Sequence, residues 1–364
     1  MKVYIAATRQ NDGKTIASLG LIAAVHRRTT KIGYIKPVGQ HYVELGGHKI
    51  DEDAILVKDT YHVHGDLPDM SPVAVPRGFT EGYINKPNRD ALVNSIMGAY
   101  DRVSAGQEFT LIEGTGHAGV GSVFDMSNAD VAKLLGAKVI VVSAGGVGRP
   151  IDEIMLNKAL FDQVGVEILG VIVNKVEKEK YDKIAPIVTK GLERKGLEVL
   201  GVMPYIPVLS DPTMEQLLED TKGELISGEQ GLKNTVSNIA IGAMAPHEAL
   251  DYLGKDTLLI TPGTREDLIL AAIGSCFLGP DSDSCVTGIV LTGETNPHQR
   301  ILHLIERAQM PVIRVLLDTF TAASKINSLM VKIRPGDTEK IAAAEALVAD
   351  YVNMDRVMDL LAQT

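Results

Sequence analysis

The sequence predicts an α/β chain: a doubly wound parallel sheet that opens on a phosphate-binding loop, followed by a second, smaller α/β domain. Three observations carry that expectation. Short apolar runs alternate with helical patterns, and the runs end in polar or glycine-rich turns, as parallel strands covered by helices do. Apolar residues make up 45% of the 364 residues but aromatics only 4%, with no tryptophan, so the core is mostly Val, Ile, Leu, Ala and Met, a bias that suits buried parallel strands. The alternation lapses after residue 208 in a mixed, acidic stretch and then restarts, and the length itself exceeds what one core usually holds.

The first element is an apolar strand from Lys2 to Ala7. It runs into Thr8-Arg9-Gln10-Asn11-Asp12, and Gly13-Lys14-Thr15 opens an amphipathic helix that continues from Ile16 to about Val25. Strand, loop and helix in that order are the context of a phosphate-binding loop. Backbone N–H groups and the helix N-terminus face the phosphates, Lys14 supplies a mobile cation, and the Thr15 hydroxyl reaches Mg²⁺. The full pattern G-x-x-x-x-G-K-[ST] would place glycine where Thr8 stands, and a solvated helix start with an incidental lysine is the alternative.

Residues 31–35 read as the second strand, left through Lys36-Pro37. A lysine at the carboxyl end of a strand in an open α/β sheet sits where ligands bind, and Pro37 fixes the exit; an ordinary turn lysine is the alternative. Residues 50–57 form an acidic helix start with Asp51, Glu52 and Asp53, which the helix dipole alone would favour, so a metal role there needs support from elsewhere. Pro68, Pro72, Pro76 and Pro87 break residues 61–87 into an excursion over the active face, and His62 and His64, with no third ligand nearby, read as solvated loop histidines. A helix over 90–103 leads to a buried strand over 109–112 that ends in Glu113-Gly114-Thr115-Gly116. An acid leaving a hydrophobic strand before a glycine-rich turn is well placed to hold Mg²⁺, and the glycines let backbone approach a ligand. A short helix over 128–135, a strand over 138–142, a helix through Phe161, a strand over 166–173 closed by Asn174-Lys175, and a last strand over 199–203 complete the pattern. The polar groups collect at one edge of the sheet.

Composition narrows the function. A net charge of −10 argues against a general nucleic-acid surface, though a local basic pocket for a nucleotide is compatible with it. No apolar run approaches the length of about 18 residues that a membrane helix needs. The N-terminus begins a strand at once, which leaves no room for a signal peptide, so a cytoplasmic protein is expected. Cys276 and Cys285 are too few for a disulfide framework or a zinc site and are expected as core or helix-face thiols.

Residues 1 to 208 resemble the dethiobiotin synthetase-like P-loop proteins, which include cobyrinic acid a,c-diamide synthase. The resemblance rests on Gly13-Lys14-Thr15, Tyr34-Ile35-Lys36-Pro37-Val38, Asp53-Ala54, Glu113-Gly114-Thr115-Gly116, Asn174 after a strand, and Leu200-Gly201-Val202-Met203-Pro204-Tyr205. It implies a P-loop NTPase domain in which Lys14 and Lys36 neutralise phosphate charge and Thr15, Asp53 and Glu113 hold Mg²⁺. It also implies that ATP is contacted by Asn11, Asp12, Gly13, Lys14, Thr15, Ile16, Gly114 and Gly116, with Asn174 on the base. Dethiobiotin synthetase carries G-T-x-T-x-x-G-K-T, whereas Ala7, Gln10 and Asn11 depart from the family here, so nucleotide binding transfers better than carboxylation and ring closure. A closer resemblance is to the dethiobiotin synthetase-like N-terminal region of long phosphotransacetylases, in which a DRTGG domain follows.

The second half fits that order. Residues 209–234 read as a linker with one short helix, 235–330 as a smaller α/β domain, and 331–364 as C-terminal helices that pack back on one of the domains. Ile241-Gly242-Ala243-Met244 and Gly263-Thr264-Arg265-Glu266-Asp267-Leu268 resemble the DRTGG domain, and Arg265 beside a helix start is either an anion site for a small-molecule effector or a surface arginine. No phosphotransacetylase catalytic domain follows Thr364, which reads as a stand-alone version of the regulatory region. The leading expectation is therefore a Mg²⁺-dependent ATP-binding protein, a slow ATPase whose second domain senses a metabolite or partner. An ATP-dependent ligase and a non-catalytic, nucleotide-dependent interaction protein are the alternatives, and homo-oligomerisation is left open.

Overall fold

The computed structural model describes residues 1–276, 285–329 and 331–363. They form two units: Met1–Ile206 together with Ile333–Thr364, and Pro207–Lys332.

The first unit begins with β1 (Lys2–Ala7), α1 (Lys14–His26), β2 (Ile32–Ile35), β3 (Val38–Gly39), β4 (Tyr42–Leu45), β5 (His48–Asp51) and α2 (Glu52–Tyr61). It continues with α3 (Leu67–Met70), β6 (Val73–Ala74), α4 (Phe79–Asn85), α5 (Arg89–Ser104), β7 (Phe109–Glu113), α6 (Asn128–Leu134), β8 (Lys138–Ala144), α7 (Arg149–Val164), β9 (Ile168–Val176), α8 (Tyr181–Glu193) and β10 (Val199–Pro204). The main sheet runs β10-β9-β8-β1-β7-β2, and its neighbouring strands pair in parallel. Strand β1 is central and almost wholly buried, which is why its sequence is a continuous aliphatic run rather than an alternating one. The order reverses about β1, so the crevice beyond its carboxyl end is the place where an open α/β sheet binds ligands.

Local chemistry explains the element boundaries. Asn88 caps α5 by accepting from Ala91 N at 3.1 Å, and Ser127 with Asp130 forms a capping box on α6. Helix α7 starts with a proline in its first turn and stops at Gly165, whose φ of 75° places it in the left-handed region. Two departures from the sequence reading matter. An exposed hairpin, β4 with β5, turns at Gly46-Gly47 before the acidic helix, and Asp51 closes that hairpin as the N-cap of α2 by accepting from Asp53 N at 3.0 Å.

The tail forms α15 (Thr338–Tyr351) and α16 (Met354–Ala362) and belongs to the first unit. Helix α15 lies on α1: a Cβ added at Gly20 would come within 2.2 Å of Val348 Cβ. Tyr61 donates to Glu345 at 2.6 Å, and Arg356 forks onto both Glu198 carboxylate oxygens at 2.6 and 2.9 Å.

The second unit contains α9 (Pro207–Ser210), α10 (Met214–Thr221), β11 (Glu224–Ser227), β12 (Asn238–Ile241), α11 (Pro246–Ala249), β13 (Thr257–Pro262), α12 (Glu266–Cys276), β14 (Gly288–Thr292), α13 (Gln299–Ala308), β15 (Val312–Val315) and α14 (Thr319–Asn327). Its sheet runs β11-β15-β14-β13-β12, parallel except for β11. Residues 209–234 are thus part of this fold rather than a linker, because β11 pairs antiparallel with β15 and α10 buries Met214 and Leu217 in the core. The cysteines are also corrected: Cys276 and Cys285 form a disulfide, since the chain returns to within 4.2 Å of Cys276, Cα to Cα, just before β14. The sequence expectation that α12 runs through Phe277 ends outside the described residues.

Candidate functional site

The loop between β1 and α1 is held from within. Thr8 N donates to Val142 O at 2.9 Å, and its Oγ1 donates to Asp12 Oδ2 at 2.6 Å while lying 3.1 Å from Ser143 Oγ. Arg9 N donates to the same Asp12 oxygen at 2.8 Å. Threonine at position 8 therefore ties the two arms of the loop together, a role that the usual glycine lacks. Burial pushes the Asp12 carboxyl up, against the opposing hydrogen bond from Thr8. Asn11 takes a φ of 66°, a conformation that asparagine tolerates, and Gly13 follows at 103°. A Cβ at Gly13 would lie 2.1 Å from Asn174 Nδ2, so glycine is required there on both counts.

Asn174, at the carboxyl end of β9, donates Nδ2 to Asp12 O at 3.0 Å and accepts at Oδ1 from Lys175 N at 2.8 Å. The structure thus brings it against the loop, where it holds the backbone before Gly13. Ile16 is buried in the first turn of α1.

Lys14 is buried and has no hydrogen-bond or ion-pair partner among the described residues. Burial, and then the charge of Lys36, holds its pKa below the usual lysine range, while Glu113, Asp53 and Asp12 pull the other way. Lys36 is the opposite case. Its backbone N donates to Met70 O at 2.8 Å, and its ammonium is bonded to Asp53, lies 3.3 Å from Glu113 Oε1 and 3.7 Å from Asp51 Oδ1. Burial would lower its pKa, but Asp53, Glu113 and Asp51 outweigh that and hold it well above the ordinary value.

Thr15 joins the same group, with Oγ1 3.1 Å from Glu113 Oε1 and 3.4 Å from Asp53 Oδ1. Tyr34 donates to Glu113 Oε2 at 3.2 Å, which anchors the carboxylate from the side away from Thr15. Burial raises the Glu113 pKa, with Lys36 opposing and Asp53 adding to the rise. The predicted set Thr15, Asp53 and Glu113 is therefore assembled. Hydroxyl and carboxylate oxygens are the hard donors that Mg²⁺ prefers, so the donor chemistry fits the ion. Among the described residues, however, no group of three His, Cys, Asp or Glu is disposed to hold a metal as it stands.

Residues that sequence reasoning missed support this group. Asn128 accepts at Oδ1 from Tyr4 Oη at 2.7 Å and Thr115 N at 3.0 Å, and donates Nδ2 to Thr115 O at 2.7 Å and His117 O at 2.6 Å. Gly114 is small because a Cβ there would lie 2.7 Å from both Asn128 Oδ1 and the Tyr4 ring. Gly116, with a φ of 68°, accepts from Ala7 N at 3.3 Å and so lays the glycine turn beside the loop. Only polarity at the start of α6 could have pointed to Asn128.

In the second unit Arg265 is a structural clamp. It donates Nη1 to Gly242 O at 3.1 Å and Nη2 to Met244 O at 2.8 Å, and pairs with Asp267 at 2.9 Å, which commits the guanidinium internally rather than to an anion. His62 and His64 lie along a polar depression with Lys58 and Arg102, away from the loop.

Comparison with known proteins follows this division. The AAA domain family matches residues 1–213 and the DRTGG domain family residues 216–329. Phosphate acetyltransferase of Nitratidesulfovibrio vulgaris is 27% identical over 362 residues, covering 96% of this chain and 50% of that protein. Phosphate acetyltransferase of Synechocystis is 26% identical over 370 residues, covering 99% and 51%. The chain thus spans about half the length of the curated relatives it matches. Among solved structures, the CBS and DRTGG domains of the regulatory region of Clostridium perfringens pyrophosphatase overlap 36% of this chain and 55% of that one, at 18% identity and a TM-score of 0.29. The chain belongs to the AAA domain family, in the form that carries a DRTGG domain behind a P-loop domain and that is homologous to the phosphate acetyltransferases.

Proposed function

We propose that the first unit binds ATP with Mg²⁺ at the loop of residues 8–15 and hydrolyses it slowly, and that the DRTGG unit regulates this in response to a small-molecule effector. The observation that carries the reading is Lys14, a buried ammonium with no hydrogen-bond or ion-pair partner among the described residues, beside a left-handed glycine at a helix N-terminus. Burying an unpaired charge is costly, and an anionic phosphate at the helix start offsets that cost. Thr15, Asp53 and Glu113 would hold the ion, which would neutralise phosphate charge. The chain's own residues position: Asn174 and the Thr8–Asp12 bond set the loop, and Asn128 sets the glycine turn across from it.

The test is a thermal-shift titration with ATP, ADP and GTP, with and without Mg²⁺, because a ligand that binds only the folded state raises the midpoint by mass action. ATP should stabilise the wild type, and Lys14→Ala should remove that shift while leaving the ligand-free midpoint within a few degrees. A nucleotide shift that survives in Lys14→Ala refutes the assignment.

A further inference from the structure

The acidic group at the site already holds a cation of its own. Lys36 contacts Asp53, Glu113 and Asp51, and it shares Glu113 Oε1 with the Thr15 hydroxyl. These are the oxygens that a divalent ion would take. The backbone of Lys36 is pinned to Met70 O at 2.8 Å, so any rearrangement falls on the side chain. Lys14, which has no hydrogen-bond or ion-pair partner among the described residues, can take a phosphate without displacing anything.

We propose that Lys36 is a resident counter-cation that occupies the carboxylate cluster and suppresses divalent-metal binding until nucleotide arrives, when the metal takes the carboxylates and Lys36 is handed to the phosphates. The inference rests on the nucleotide-site reading above. Three carboxylates packed together without a cation would repel one another, and a single ammonium satisfies them with one unit of charge. Mg²⁺ brings two units of charge, and an ammonium sharing the same carboxylates would lie only a few ångströms from it, where the two cations repel each other strongly. A metal entering alone is therefore opposed by Lys36, whose charge already acts on Lys14 and would gain no new anion on leaving the carboxylates. A metal entering with a triphosphate brings the anion that receives it. The coupling makes the occupied state all-or-none: metal and nucleotide load together, and the empty state is stable without either.

The test is Mn²⁺ binding to nucleotide-free full-length protein, followed by electron paramagnetic resonance, for wild type, Lys36→Met and Lys36→Gln. Either neutral variant should bind Mn²⁺ about tenfold or more tightly than wild type, because a unit charge a few ångströms from a divalent ion opposes it by more than one tenfold step at a protein's effective dielectric. Adding Asp53→Asn to the neutral variant should abolish the gain. Equal Mn²⁺ affinity in wild type and both variants overturns the proposal. A second measurement needs no substitution: in protein labelled with ¹⁵N-lysine, the Lys36 ammonium resonance must move in step with Mg²⁺ occupancy, and a resonance unmoved at saturation overturns it. Metal-free ATP binding that depends on Lys14 tells the two readings apart, since it persists if only the Lys36 device is wrong and is absent if the nucleotide site is wrong.

Discussion

Replacing Asn128 by alanine should cost the first unit about 3–4 kcal/mol and loosen the turn that faces the loop. The side chain uses its full hydrogen-bonding capacity: two bonds accepted, from Tyr4 Oη and Thr115 N, and two donated, to Thr115 O and His117 O. Tyr4 is buried, and Thr115 is 8% exposed, so three of the four partners lose access to water as well as to Asn128. A buried donor or acceptor left unmade costs about 1–3 kcal/mol; the low end for each of the three gives about 3 kcal/mol, and the lost bond to His117 O adds up to about 1 more. That is a large share of the roughly 5–15 kcal/mol that holds a domain folded. Urea unfolding of the full chain, read by a probe in the first unit with the slope checked for constancy, measures it. Tyr4→Phe removes only one bond and should cost about 1 kcal/mol. The two changes share a bond, so the double variant should be less destabilised than the sum of the singles. A loss below about 1 kcal/mol for Asn128→Ala, or strict additivity with Tyr4→Phe, would refute the reasoning.

Two further outcomes follow from particular side chains. Burial raises the Asp12 carboxyl above its value of 3.8 in the unfolded chain, so the native state binds its proton more tightly. The stability this confers is full below about pH 4 and is lost as pH climbs through the raised native value. Asp12→Asn, which keeps an oxygen for Thr8 and Arg9 to donate to, should flatten the decline in unfolding free energy between acidic and neutral pH; an unchanged slope would count against a buried, protonatable Asp12. In the second unit, Arg265→Ala removes donors to Gly242 O and Met244 O and should lower that unit's stability by about 1–2 kcal/mol in urea. Calorimetric titration with inorganic phosphate should give the same result before and after the change; a loss of phosphate binding would restore the anion-site reading.

The strands and their polar ends were legible because parallel strands buried on both faces read as uninterrupted aliphatic runs, and a charge that breaks such a run stands out. Lys36 and Glu113 stand out in that way, whereas Asp53 lies in the first turn of a helix, where dipole chemistry alone would place an acid, and only the family resemblance singles it out. Asn128 and Tyr4 do not stand out: they meet across 124 residues, and neither interrupts a pattern. Asp51 read as dipole chemistry because its second role, a contact with Lys36, depends on a hairpin too exposed to show alternation. Strand β11 reads as linker in the sequence because its residues are at most half-buried and its partner β15 lies far downstream. Arg265 was ambiguous for a related reason: the carbonyls it clamps come from another strand's exit, which spacing alone does not reveal.

The chain leaves the first unit at Ile206 and returns to it at Ile333, and this order has a consequence for synthesis. By the time β10 has emerged from the ribosome, every strand of the main sheet exists, yet α1, an aliphatic helix buried nearly all round, still lacks α15 over Gly20. At about 5–20 residues per second, the whole DRTGG unit must be made during the roughly six to thirty seconds before that cover arrives. The nascent protein therefore carries an open apolar seam while its second unit is being translated. A fragment cut at Ile206 would keep that seam, so a piece of this chain meant to carry the cover over α1 must also include α15.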